Sequence, residues 1–191
     1  MKNIAVFASG NGSNAENIIR YFSQNKQFGI HVSFVITNRK QAGVINKAKA
    51  LGVSSFVFSN AEIENPERLI FFFKENNIDL LVLAGFLRPI PVELLKLYPN
   101  KVINIHPSLL PNYGGKGMYG FKIHEAVLAN NEKETGITIH YVIEEYDKGE
   151  IIFQTKCSIS ENETVETLAT KIYQLEQKHF PETIVKVMAK L

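Results

Sequence analysis

Short apolar runs rich in β-branched residues alternate along this chain with amphipathic stretches of about ten residues, and no other feature constrains the fold as much. Ile4 to Ala8, Val32 to Thr37, Ser55 to Phe58, Leu80 to Ala84 and Val102 to His106 are four to six residues long and mostly apolar on both faces. Strands covered on both sides read this way. Between them the pattern predicts helices over Asn14 to Ser23, over Gln41 to Leu51 with Gly52 as its stop, and over Pro66 to Glu75 with Asn65 as N-cap. Strands and helices alternating at this spacing form right-handed βαβ units, so the fold class is α/β, a mainly parallel sheet flanked by helices. Beyond residue 135 two β-rich stretches, Gly136 to Ile143 and Glu150 to Ile159, flank the turn-like Glu144 to Gly149 and predict a C-terminal antiparallel hairpin. From Thr164 onward Leu168, Ile172, Leu175, His179, Ile184, Val187 and Met188 fall near one face of a long terminal helix, which Pro181 should kink.

With 191 residues and no repeat or linker, one domain over 1–191 is the expectation. The longest uncharged apolar run, Leu80 to Leu87, falls short of the roughly 20 residues that span a bilayer. The opening MKNIAVFASG is too short and too soon broken by glycine for a signal peptide, so a cytoplasmic protein is expected, without membrane partners. Cys157 is the only cysteine, which excludes an internal disulfide or a cysteine metal site, and no histidine pair has metal-ligand spacing. Lys and Arg total 21 against 19 Asp and Glu, so nothing draws the whole surface to nucleic acid and any anion site must be local. The long irregular stretch Pro107 to Gly120 is the kind of loop that usually carries function.

Three segments carry possible chemistry. Ser9-Gly10-Asn11-Gly12-Ser13-Asn14 lies between a strand and a helix, where free amides and the helix dipole suit a phosphate. It matches neither the dinucleotide nor the P-loop fingerprint, and a plain glycine turn with a polar cap is the alternative. Asn104 and His106, two apart on a strand that Pro107 ends, point the same way at the carboxyl edge of the sheet. The amide can donate to a developing oxyanion and the imidazole can exchange a proton, or both can serve only the local turn. Asp147, two residues before Gly149, has the composition of a turn. Were its loop to fold back over the strand end, the carboxylate would hold His106 as imidazolium and raise its pKa. His140 alternates with Thr138 and Val142 and faces the same way, whereas His31, His124 and His179 read as structural or solvated. One acid/base, one oxyanion donor and a phosphate anchor, with no nucleophile, suit transfer of an acyl-like group between two bound substrates.

Taken together, ASGNGSN at 8–14, LAGFLR at 83–88, NIHPSLLP at 104–111, GITIH at 136–140 and DKGEII at 147–152 resemble the folate-dependent formyltransferases over the whole chain, and among them the glycinamide ribonucleotide formyltransferases. The resemblance implies a Rossmann-like sheet, 10-formyltetrahydrofolate as cosubstrate, no metal, and a monomer or homodimer acting on small molecules in purine biosynthesis. It implies catalytic roles for Asn104, His106 and Asp147, and contact with the phosphate-bearing substrate for Gly12, Ser13, Asn14 and Glu176. It implies a folate pocket of Leu87, Arg88, Pro89 and Ile90 with Asn104 and the loop Ile143, Glu144, Glu145, Tyr146 and Asp147. The chain departs from the family pattern in two places: Asn60 to Asn65 is short where a folate-contacting arginine is expected, and Tyr113 to Gly120 is long and glycine-rich around Lys116. Two other classes fit parts of the pattern. A formyltransferase for a sugar-nucleotide amine would share NIHPSLLP and Asp147 without needing the glycine loop, and a non-catalytic nucleotide-binding module would need only that loop.

Overall fold

The computed structural model describes residues 1–191. Five strands run parallel: β1 (Lys2–Phe7), β2 (Ile30–Thr37), β3 (Ser54–Val57), β4 (Leu80–Leu83) and β5 (Val102–His106). They are joined by α1 (Ser13–Gln24), α2 (Gly43–Ala50), α3 (Asn60–Glu64), α4 (Glu67–Glu75) and α5 (Val92–Leu97). After α6 (Phe121–Ala129), strands β6 (Glu134–Tyr141) and β7 (Ile151–Ser158) add antiparallel to β5 and to each other, and α7 (Val165–Lys190) closes the chain. The sheet order is β3-β2-β1-β4-β5-β6-β7.

Alternation along the central strands divides the core. Ile4, Val6, Leu80, Val82, Ile103 and Ile105 face α1, α2 and α7, which bury Ile18, Val44, Ile172 and Phe180. Ala5, Phe7, Leu81, Leu83 and Val102 face the other way, toward Ile63, Leu69, Phe73 and Leu94 from α3, α4 and α5. Each large side chain so buried contributes roughly 1.5–3 kcal/mol of transfer free energy, which is why the strands are apolar on both faces. A third, small core joins Ile123 and Val127 of α6 to Leu168 of α7, with Tyr113 and Met118 packed on it. None of the helices is long and apolar enough to cross a membrane.

One local expectation changes. Asn65 is not the N-cap of α4: it closes α3, a single turn started by the Ser59–Glu62 capping box, and α4 begins at Glu67 after Pro66. The terminal helix α7 runs continuously from Val165 to Lys190 with Pro181 inside it. A proline leaves the carbonyl four residues earlier without its helical donor. Asn17 Nδ2, on α1, donates to that Gln177 carbonyl at 2.7 Å and ties α1 to α7.

The strand order reverses between β1 and β4, because the chain leaves β1 toward β2 on one side and reaches β4 on the other. A crevice opens at the carboxyl ends of strands at such a switch point, and here β5 extends it toward the antiparallel edge.

Gly136 shows how closely that edge is packed: a β-carbon there would lie 1.9 Å from the Thr155 carbonyl oxygen and 2.7 Å from Leu109 Cδ2. The nearest obstacle is main chain, so Gly136→Ala is expected to cost about 3 kcal/mol and lower Tm by roughly 6–12 °C. A melting curve matching that of the parent would contradict the β6–β7 pairing.

Candidate active site

The crevice is a cleft of about 530 Å³ lined by the ends of β1, β4 and β5, by residues 115–120 and 142–147, and by Glu176 of α7. Every residue to which the resemblance gives a catalytic, substrate or folate role lines it: Gly12, Ser13, Asn14, Leu87, Arg88, Pro89, Ile90, Asn104, His106, Ile143, Glu144, Glu145, Tyr146, Asp147 and Glu176.

One end is built on α1. Gly12 takes φ 73° as its N-cap, and a β-carbon there would lie 2.3 Å from Val44 Cγ2, so only glycine fits the turn. No side chain caps α1, which leaves its first-turn amides for a ligand. Asn14 Nδ2 donates to Glu176 Oε2 at 2.8 Å and Asn14 Oδ1 accepts from Gln177 Nε2 at 2.8 Å. With the Asn17 bond, these hold the start of α1 against α7. Burial pushes the Glu176 carboxyl up to about 7, against the downward pull of Asn14.

The other end is an apolar slot between 86–90 and 142–146. Its floor is fixed by Ser9 Oγ, which accepts from the Leu87 amide at 3.0 Å and donates to Asn38 Oδ1 at 2.7 Å. Leu87, Ile143 and Tyr146 remain 41%, 45% and 45% exposed, an apolar surface suited to a flat ring. The Arg88 guanidinium is committed to Glu64 of α3, within the short segment where the family pattern expects an arginine. Lys116 lines the cleft and makes no ion pair.

Between the two ends stands the polar centre. Antiparallel pairing sets Asn104 of β5 opposite His140 of β6, and His106 opposite Thr138. Asn104 Nδ2 donates to His140 Nε2 at 3.2 Å, keeping its second N–H for a ligand. A carbonyl oxygen can only accept, so the bond of His140 Nδ1 to the Tyr141 carbonyl and that of His106 Nε2 to the Tyr113 carbonyl, each 2.8 Å, place a ring N–H on those nitrogens. The opposite nitrogens face one carboxylate: His106 Nδ1 lies 3.6 Å from Asp147 Oδ2, and His140 Nε2 lies 3.5 Å from Asp147 Oδ1. The Gly115 amide donates to Asp147 Oδ2 at 2.8 Å. Asp147 is also a turn residue, with φ 55°, a left-handed conformation that aspartate tolerates. The position is thus a turn residue whose carboxylate also reaches His106.

Electrostatics corrects one expectation. Burial pushes the His106 imidazole below its ordinary value and outweighs the upward pulls of Asp147 and the Tyr113 carbonyl. Coulomb attraction at 3.6 Å is of order 4 kcal/mol at an effective dielectric of 20, comparable with the cost of burying a charged ring. His106 is therefore neutral near pH 7 in the free site, not held as imidazolium. For Asp147, burial pushes the carboxyl up, but the polar His140 and His106 rings beside it and the Gly115 amide together hold it below the usual carboxylate range. The centre thus presents an ionised carboxylate between imidazole lone pairs, a set with room for one proton. Sequence reasoning missed the Tyr113 carbonyl and the Gly115 amide, since main-chain groups carry no residue-type signal. His124 is structural, buried on α6 against Phe121.

The sequence profile described as formyl transferase matches residues 2–184. The chain belongs to the formyl transferase family. Within that family it is similar to the phosphoribosylglycinamide formyltransferase of Bacillus subtilis, 38% identical over 192 residues that cover 98% of this chain and 95% of the relative. It is also similar to the chloroplastic phosphoribosylglycinamide formyltransferase of Arabidopsis thaliana, 39% identical, with 96% of this chain and 64% of that protein covered. The chain spans less than two thirds of the length of this relative and of its Vigna unguiculata counterpart, 64% and 60%. The crystal structure of phosphoribosylglycinamide formyltransferase from Bacillus halodurans superposes with a TM-score of 0.88 at 37% identity, covering 99% of this chain and 96% of that one. The α/β architecture of this chain superposes on that structure over nearly its whole length. No three His, Cys, Asp or Glu side chains cluster as a metal site.

Because the Glu176 carboxyl titrates near 7 in the folded chain and near 4.5 when unfolded, its contribution to stability is present below pH 4.5 and lost as pH rises through about 7. Glu176→Gln keeps the acceptor for Asn14 and removes the charge. Thermal unfolding should find the variant more stable than the parent at about pH 8.5, by up to roughly 3 kcal/mol, and equal to it at about pH 4. The same difference at both pH values would contradict the raised carboxyl.

Proposed function

We propose that this formyl transferase transfers a formyl group from 10-formyltetrahydrofolate to the primary amine of glycinamide ribonucleotide in de novo purine biosynthesis, by direct attack and a tetrahedral intermediate. The observation that carries the reading is the placement of the Asn104, His106, Asp147 and His140 centre between an uncapped helix start and an exposed apolar slot in one cleft. The amides of Gly12, Ser13 and Asn14 take the ribose phosphate, and Glu176 faces the rest of that substrate. The pteridine lies in the slot of Leu87, Arg88, Pro89 and Ile90, under Ile143, Glu144, Glu145 and Tyr146. High identity over nearly full length to the Bacillus subtilis relative supports both assignments.

The amine nitrogen forms a bond to the formyl carbon, and the carbonyl electron pair moves to oxygen, where the free N–H of Asn104 donates. His106, with Nε2–H pinned by Tyr113, accepts the amine proton on Nδ1. The imidazolium so formed lies beside Asp147 and turns its new N–H to the oxyanion. Collapse breaks the bond to the folate nitrogen, which leaves with that proton, and the centre returns to its starting charge. Asp147 therefore stabilises a charge that exists only during the reaction. Acid–base catalysis of this kind supplies about 10²–10⁴-fold, and positioning of two substrates supplies much of the rest. The setting is a cytoplasmic enzyme of small-molecule substrates, monomeric or homodimeric.

A coupled absorbance assay with both substrates, exchanging the acceptor amine one compound at a time, tests the reading. Turnover is expected with glycinamide ribonucleotide and not with sugar-nucleotide amines; the reverse selectivity would overturn the acceptor assignment. In the same assay Asp147→Asn should lower kcat about 100-fold or more with both KM values within a fewfold, and should move the acidic limb of the profile to lower pH. Combined with His106→Ala it should add little to the loss from His106→Ala alone. Losses that multiply would remove Asp147 from the chemistry.

A further inference from the structure

The loop that supplies the Tyr113 carbonyl and the Gly115 amide is held from outside the cleft. Its first half is anchored by Thr138, whose hydroxyl accepts from the Leu110 amide at 3.0 Å and donates to the Ser108 carbonyl at 2.7 Å. Its second half begins at Tyr113, a non-glycine residue at φ 57°. A left-handed tyrosine is unfavourable and persists only where its surroundings hold it. Here the ring packs on the small core of Ile123, Val127 and Leu168, and the phenol donates to Glu132 Oε1 at 2.7 Å. The sharp turn sends carbonyl 113 to His106 Nε2 and amide 115 to Asp147 Oδ2, both at 2.8 Å. Neither Tyr113 nor Glu132 lines the cleft.

We infer that the Tyr113–Glu132 hydrogen bond is a positioning device for catalysis, fixing from behind the tautomer of His106 and the direction of Asp147. The inference rests on the catalytic reading of those two residues. Glu132 holds the phenol, the phenol holds the left-handed turn, and the turn holds two main-chain groups against the centre. A rotated carbonyl 113 would release Nε2–H, leaving Nδ1 free to carry the ring proton instead of accepting one. Because the Tyr113 carbonyl also favours the protonated ring, its loss lowers the His106 pKa further, with Asp147 and His140 the remaining groups that face the ring.

The test compares Tyr113→Phe, Glu132→Ala and Glu132→Gln in the two-substrate assay, with His106→Ala as reference and melting temperatures for all. Tyr113→Phe and Glu132→Ala should each lower kcat about three- to tenfold, leave both KM values within about twofold, and move the acidic limb of the profile to lower pH. Their combination should cost no more than either alone. Glu132→Gln, which keeps an acceptor for the phenol, should recover kcat to within about twofold. A fall in Tm with kcat and pH profile unchanged would make the pair merely structural and overturn the inference. Wild-type turnover by His106→Ala would instead bring down the catalytic reading, and the inference with it.

Discussion

One carboxylate facing two imidazoles is the arrangement on which the rest of the site depends. Asp147 lies within 3.6 Å of a ring nitrogen of both His106 and His140, and each ring has its other nitrogen bonded to a main-chain carbonyl. Those carbonyls decide which nitrogen of each ring is available, so from the two rings Asp147 meets lone pairs, and its N–H donor is the Gly115 amide. The resting centre lacks one proton that its geometry is shaped to receive, and burial keeps it so by disfavouring the charged His106 ring. In the proposed transfer, a group that becomes charged only as the amine loses its proton stabilises the transition state more than the ground state.

The fold delivers these groups from four separate elements. Parallel strands bring β1, β4 and β5 to a common carboxyl edge, and the switch to antiparallel pairing at β6 is what sets His140 across from Asn104. The β6–β7 connection then carries Asp147 over the strand end, and the 113–115 turn closes from the other side. Asn17, by satisfying the carbonyl that Pro181 leaves free, and Asn14, through Glu176, fix the uncapped start of α1 at the far end of the same cleft.

Much of this was legible in the sequence because it follows from periodicity. Strands apolar on both faces required helices on both sides, and a two-residue spacing placed Asn104 and His106 on one face before any contact was known. The helices α5 and α6 were not legible: at six and nine residues, and apolar over most of their length, neither sets a polar face against an apolar one clearly enough to establish a period. Asp147 read first as a turn residue and only through the reach of its loop as a partner of His106; its left-handed backbone and long-range contacts show both the turn and the proximity. The sign of the His106 shift was misjudged because a neighbouring carboxylate can be inferred from a motif, whereas the depth of burial that outweighs it emerges only when three elements pack around the ring. Residues 113–115 act through main-chain atoms, and no choice of side chain announces them.

Long-range two-bond ¹H–¹⁵N correlation of the imidazole rings, with and without His106→Ala and His140→Ala for assignment, measures this arrangement most directly. In the free protein near neutral pH, His106 should be neutral with its proton on Nε2, and the His140 ring should carry a proton on Nδ1. A His106 ring found as imidazolium under those conditions, or neutral with its proton on Nδ1, would contradict the account.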